Sequence, residues 1–246
     1  MKNNLYMDLH THSVLSRHAF SSLTENIEYA QSIGLKILGC SEHQYDDLGV
    51  GSSEHIIGGL KRNVPSNYKG MKVLKGMELN ILDGHFDVEK YKMSYLDYAI
   101  ASMHPYAYSI EHTVNENTDN YIMACSKEYV TILGHMDYPV YPCDYERVIK
   151  EASDKHKLVE LNNSRIKPGT FSPDARNIDK EIVLPLCAKY NVPVIINSDA
   201  HIKYDIGSTD SAFELLTEIN FPQELVVNYS EDLLKQYINY DIWKNR

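Results

Sequence analysis

Apolar residues along this chain gather in short, nearly unbroken runs bounded by polar positions. The runs are "LYMDL" (5–9), "LKILGC" (35–40), one within "MKVLKGMELNIL" (71–82), "LDYAIAS" (96–102), "YVTILG" (129–134), "KLVELN" (157–162) and "VPVIIN" (192–197). Such runs read as strands buried on both faces, the habit of a parallel sheet. Between them the spacing becomes helical. "LTENIEYAQSIG" sets Ile27, Ala30 and Ile33 about one turn apart, with Thr24 as the expected N-cap and Gly34 as the stop. Helices are expected at 144–155 and 176–190, and the C-terminal part, 208–246, reads as further helix that includes the Ser-capped "SEDLLKQYI". Seven strands alternating with helices predict an α/β fold, either doubly wound or a barrel. With no linker, repeat or low-complexity tract, residues 1–246 are expected to form a single domain.

Composition narrows the function classes. Lys and Arg number 24 against 34 Asp and Glu, a net charge of −10 with no basic cluster to offset it. Long nucleic acid, which is bound through Lys and Arg contacts to phosphates, is therefore not an expected partner. No run is long enough to span a membrane. "MKNNLYMDLH" has no apolar core followed by a small-residue cleavage site, so the cytoplasm is the expected location. Cys40, Cys125, Cys143 and Cys187 form no CxxC pair, which argues against a thiolate zinc site or a disulfide framework. Cys40 falls in a predicted strand and reads as a small core residue. Nothing in the sequence sets the oligomeric state.

The polar residues change the picture most. His10 and His12 end the first run, His43 follows the second, Glu78 closes the third, His104 follows the fourth, His135 the fifth, and Asp199 and His201 the seventh. His18 lies on the loop after the first. In an α/β barrel the C-terminal strand ends meet at one mouth, so seven of the eleven histidines would converge there with two carboxylates. His10 and His12, two apart on extended chain, face the same way, as do Asp199 and His201. Imidazole and carboxylate without thiolate suit Zn, Mn or Fe. Nine ligands exceed one tetrahedral ion and suffice for two or three divalent ions if a carboxylate bridges. Three such ions with two carboxylates carry about +4, or about +3 with a bridging hydroxide. That charge would attract a phosphate monoester and lower the pKa of bound water, and a metal-bound hydroxide would then attack phosphorus in line.

In order, "DLHTHSVLSRHAFSS", "SEHQ", "GMELNI", "SMHP", "LGHMD" and "NSDAH" resemble the motifs of the PHP (polymerase and histidinol phosphatase) family, nearest to its stand-alone bacterial phosphatases with a trinuclear metal site. The resemblance covers residues 5 to about 205. It implies a distorted (β/α)7 barrel and a metal-dependent phosphatase acting on small phosphomonoesters, histidinol phosphate being one possible substrate. It also implies a grouping of ligands. His10, His12, Glu78 and Asp199 would hold one ion; Glu78 would bridge to a second, held by His104 and His135; His18, His43 and His201 would hold the third. Glu78, Asp199 and His201 are the candidate catalytic residues.

Arg17 and Arg165 are the guanidinium candidates for phosphate contact, with a solvated surface arginine as the alternative for each. Asn162 and Asn163 are candidates for the same wall or for hydrogen bonds behind the ligands. Tyr106 and Tyr108 read as loop packing or substrate contact, and His55, His85, His112 and His156 as surface residues, with His112 able to line the pocket. Competing readings are an amidohydrolase-type metal hydrolase, a PHP nuclease or nucleotide phosphatase, and a metal-storing module without enzymatic activity. Glu78 in place of a bridging lysine, together with His18 and His43, argues against the amidohydrolase.

Overall fold

A computed structural model describes residues 6–44, 53–86, 88, 93–170, 172 and 174–238. Leu5, the first residue of the predicted first strand, and residues 239–246 of the predicted C-terminal helix lie outside them. Eight strands form one sheet: β1 (Met7–Asp8), β2 (Ile37–His43), β3 (Asn67–Tyr68), β4 (Met71–Asn80), β5 (Ile100–Ser102), β6 (Ile132–Leu133), β7 (Leu158–Asn162) and β8 (Val194–Asn197). Seven of them run parallel in the order β1-β2-β4-β5-β6-β7-β8. Past the last strands, His12 N donates to Ala200 O at 2.8 Å and Ala200 N to His10 O at 3.3 Å, joining the two edges. The result is a nearly closed (β/α)7 barrel. The additional strand, β3, pairs antiparallel with β4 and was not among the expected runs.

Alternation along each strand sorts two layers. Leu38, Cys40, Val73, Met77, Leu79, Val159, Leu161, Val194 and Ile196 face outward to the helices. Ile37, Leu74, Tyr98, Ile100, Ile132, Leu158 and Ile195 fill the barrel interior, with Val227, Leu234 and Ile238 of the C-terminal segment packed against them at the N-terminal end of the strands. Tyr98 passes so close to β2 and β4 that a Cβ on Gly39 or Gly76 would collide with its ring. Its hydroxyl donates to Leu9 O at 2.5 Å. The same inward parity that places Leu74 and Leu158 in this floor carries on up the strands to polar residues, which is how an apolar barrel acquires a polar mouth.

The helices follow their caps. Leu23–Ser32 begins at Ser22, not Thr24. Ser22 Oγ accepts from Glu25 N while Glu25 accepts from Ser22 N at 2.8 Å, a reciprocal box that is worth about 1 kcal/mol and leaves Thr24 already inside the helix. Thr113 and Glu116 repeat the device at Val114–Cys125. Tyr145–Asp154 buries Val148, Ile149 and Ala152, matching the expected helix. The segment expected at 176–190 runs as Ala175–Ile178, five π-helical residues Asp179–Val183, and Leu184–Lys189. Glu231–Tyr237 is capped by Ser230, as its sequence predicts. All four cysteines are buried and free, and burial pushes the Cys40 thiol far up.

Candidate metal centre

Each strand delivers its polar residue to the same end. His10 and His12 lie on the extended run just past β1 rather than within it, held by Leu9 N donating to Asn197 Oδ1 at 2.9 Å and by the closure to Ala200. His43 is the last residue of β2, and Glu78 lies inside β4, because both strands run further toward the mouth than their apolar runs do. His104 follows β5. His135, past β6, and Asp199, past β8, take φ of 27° and 53°. That left-handed region is uncommon for a residue with a Cβ, and it needs outside support.

Glu78 sits among five imidazoles. Its Oε2 lies 3.2 Å from His10 Nε2, 3.5 Å from His12 Nε2 and 2.9 Å from His43 Nδ1. Its Oε1 lies 3.2 Å from His104 Nε2 and 3.0 Å from His135 Nε2. Asp199 Oδ1 lies 3.2 Å from His12 Nε2 and 3.6 Å from His10 Nε2. Among the described residues, three triads bring one ligand atom each within 4.8 Å of the others: His10–His12–Glu78, His43–Glu78–His104 and His12–His43–His201. His18, exposed on its loop, completes no triad, but its Nε2 is 2.7 Å from His201 Nε2. All nine candidates thus come together, with His43 nearer to Glu78 than the implied grouping places it.

Hydrogen bonds behind the rings decide which nitrogen faces the centre. The Glu160 carboxylate can only accept, so His10 Nδ1 donates to it, at 2.7 Å. Ser16 Oγ spends its one proton on Glu42 Oε2 at 2.6 Å and accepts from His43 N at 3.0 Å; its remaining lone pair takes His12 Nδ1–H at 3.1 Å. Asn80 Oδ1 receives His104 Nδ1–H at 2.9 Å, and Asp199 O receives His201 Nδ1–H at 3.0 Å. Four rings therefore carry a proton on Nδ1 and turn Nε2 inward, the arrangement that outer hydrogen bonds impose on metal-binding histidines.

The buried atoms His10 Nε2, His12 Nε2 and Glu78 Oε2 satisfy no hydrogen bond. Leaving such atoms unpaired costs about 1–3 kcal/mol each. Their convergence, from imidazole and carboxylate alone, fits divalent cations. Charge is arranged to match. Burial opposes ionisation of Glu78, yet His10, His104 and His43 hold its carboxyl well below the usual range. Burial likewise opposes, and His10 and His12 overcome, at Asp199. Burial pushes His104 down to about 4.

No family model matches the chain. It is 38% identical over 242 residues to a probable phosphatase of Caldanaerobacter subterraneus subsp. tengcongensis, covering 97% of this chain and 92% of that protein. A probable phosphatase of Clostridium novyi is 36% identical over 237 residues, covering 94% and 93%. The chain belongs to this family of probable phosphatases. Its fold resembles the histidinol phosphate phosphatase of Lactococcus lactis subsp. lactis Il1403, solved with zinc, L-histidinol and phosphate. The TM-score is 0.58 at 17% identity, over 89% of this chain and 95% of that one.

In this phosphatase-family chain the arginines divide. Arg17 is exposed beside His18, with φ of 63°. Arg165 is drawn inward: Nη2 donates to Ser172 Oγ at 2.8 Å, Nε lies 3.6 Å from buried Asp137, and the guanidinium stacks 3.8 Å above Tyr138. Burial pushes the Asp137 carboxyl up to about 6 against the pull of Arg165, and burial and Asp137 push Asp179 up too. Asn162 Nδ2 reaches Asp199 Oδ2 at 3.2 Å, whereas Asn163 Oδ1 turns away to accept from Ala212 N at 3.0 Å. Tyr106 is 57% exposed, with its hydroxyl 3.2 Å from Asn80 Oδ1 and 3.4 Å from His43 Nδ1, while Tyr108 is buried packing. His112 stacks on Tyr108 and pairs with Asp83 at 2.8 Å; His156 stacks on Tyr237. His55 and His85 are exposed. Sequence reasoning missed Glu160, Glu42, Ser16 and Asn80. The sequence offered for Glu160 only a carboxylate in the middle of the apolar run "LVELN", and its inward position is set by the closed barrel.

Proposed function

We propose that this protein is a PHP-type phosphomonoesterase that binds two to three divalent ions, Zn, Mn or Fe, and hydrolyses small phosphorylated substrates. The observation that carries this reading is Glu78, whose two oxygens face two different sets of imidazoles, with unpaired buried nitrogens of His10 and His12 pointing at the same carboxylate. His10, His12 and Asp199 would hold an ion with Glu78, His104 and His135 a second, and His18, His43 and His201 a third. The bound ions supply Lewis acidity toward phosphoryl oxygens and acidify water.

The chain's own groups do the rest. Glu78 would be shared between ions and would offset part of their charge. Asp199 orients against His12, and Asn162 steadies its other oxygen. His201 and His18 stand on the more open side, where the ester reaches the centre. Arg17 is placed to meet a phosphate arriving there, and Arg165 to do so from beside Asp137. Membership of a family of probable phosphatases supports the reaction class, and the Lactococcus enzyme makes histidinol phosphate a member of the substrate panel.

The test is phosphate release from a broad panel of phosphomonoesters, with metal content measured on the same sample. Glu78→Gln is expected to lose bound metal and at least about 100-fold in kcat together. Full turnover in that variant, or amide hydrolysis without phosphate release by the wild type, would overturn the reading.

A further inference from the structure

Behind the candidate ligands, one carboxylate accepts from four donors. Glu160 occupies the inward face of β7 between Leu158 in the floor and Asn162 at the mouth, and is 3% exposed. Its Oε1 accepts from His10 Nδ1 at 2.7 Å and from Asn197 Nδ2 at 2.8 Å. Its Oε2 accepts from the backbone N of His135 at 3.0 Å and from Asn162 Nδ2 at 3.2 Å. The two oxygens therefore serve different halves of the centre. His10 faces Glu78 Oε2, and His135 faces Glu78 Oε1.

The support differs in kind on the two sides. For His10 it is the ring that is fixed, with its proton on the nitrogen away from the centre. For His135 it is the backbone, whose φ of 27° is held by the N–H pointing at Glu160. Such a conformation costs on the order of 1–3 kcal/mol unless the surroundings impose it. Asn197 extends the brace: it gives Nδ2 to Glu160 and takes Leu9 N on Oδ1, fixing the residue before His10.

We propose that Glu160 is a positioning residue that couples the two halves of the centre, so that ions on the His10 side and on the His135 side share one brace and each favours the other's binding. This rests on the metal-binding reading above. A neutral isostere cannot replace it. All four partners are donors, two on each oxygen, so the amide nitrogen of glutamine meets two donors whichever way it is turned.

Zinc binding to the metal-free protein, measured by chelator competition, separates the outcomes. Glu160→Gln is expected to weaken ions in both halves by about tenfold to a hundredfold. Asn80→Ala, which removes the acceptor behind His104 together with Asn80's bonds to Tyr106 and Gln44 O but touches neither His10 nor Glu160, is expected to weaken one ion and spare the rest. A folded Glu160→Gln protein that holds every ion within twofold of wild type, or weakens only one, overturns the coupling. If that variant does not fold, histidine 15N spectra of the zinc-loaded wild type decide. His10 is expected to carry its proton on Nδ1 and bind through Nε2, and binding through Nδ1 overturns the brace. A wild type that binds no zinc defeats the proposed function itself, whereas zinc bound with the wrong His10 nitrogen defeats only Glu160's role.

Discussion

His10 and His12 lie two residues apart on one stretch of backbone, both fully buried with ring centroids 5.0 Å apart, yet they are held in opposite ways. His10 touches a carboxylate directly, Glu160. His12 reaches its carboxylate, Glu42, only through the hydroxyl of Ser16. Burial disfavours charge on both. At His10 the three carboxylates Glu160, Glu78 and Asp199 overcome it and hold the pKa well above the ordinary range. At His12 burial wins, aided by the neighbouring His43, and the pKa falls well below it. The same residue type, equally buried, becomes a proton holder or a neutral donor according to whether charge or a hydroxyl stands behind it. A cation entering the centre would displace a proton from His10 but find His12 already prepared.

Glu160→Gln removes the direct carboxylate and carries the largest effect on this comparison after Glu78→Gln itself. Ser16→Ala attacks the other arm. It leaves His12 Nδ1–H and His43 N–H without their acceptor and takes a donor from Glu42, and a loss of about 2 kcal/mol in unfolding free energy is expected from urea titration. A loss near zero would mean that the relay does not hold His12.

The pH response should separate the two rings more gently. In metal-free protein, His10 binds its proton more tightly when folded, so its contribution to stability is full below its ordinary value of 6.5 and is lost as pH rises through the raised value. His12 refuses a proton that the unfolded chain accepts, so its contribution is lost as pH falls below 6.5. Urea midpoints across pH are expected to lose their alkaline slope in His10→Asn and their acid slope in His12→Asn. Identical changes in both variants would erase the contrast. Smallest of all, Ser22→Ala should cost about 1 kcal/mol through the helix cap. It should leave zinc affinity unchanged, although that helix sends Asn26 Nδ2 to His12 O at 2.8 Å.

Much of this was legible in the chain, for reasons the two arms make plain. The seven parallel strands announce themselves as apolar runs because both of their faces are buried. The candidate ligands announce themselves because histidine is an unusual residue to find at strand end after strand end. Glu160 did not, since a carboxylate inside a strand is marked by its inward parity alone, and parity is fixed only once the barrel closes. Glu42 and Ser16 are 26 positions apart, and nothing in their types joins them before β2 lies beside the first loop. β3 has two residues, too few for any period to register. Arg165 reads alike from sequence whether or not a buried carboxylate stands beside it, as Asp137 does here.

The apolar floor has a consequence of its own. Tyr98, Leu234 and Ile238 close the barrel at the end opposite the histidines, so the interior is a cup and not a tube. A molecule that enters or leaves at Glu78 crosses the same rim, which carries exposed Phe20 beside His201 and exposed Tyr106 beside His43. Arrival and departure at this centre are successive events at one opening.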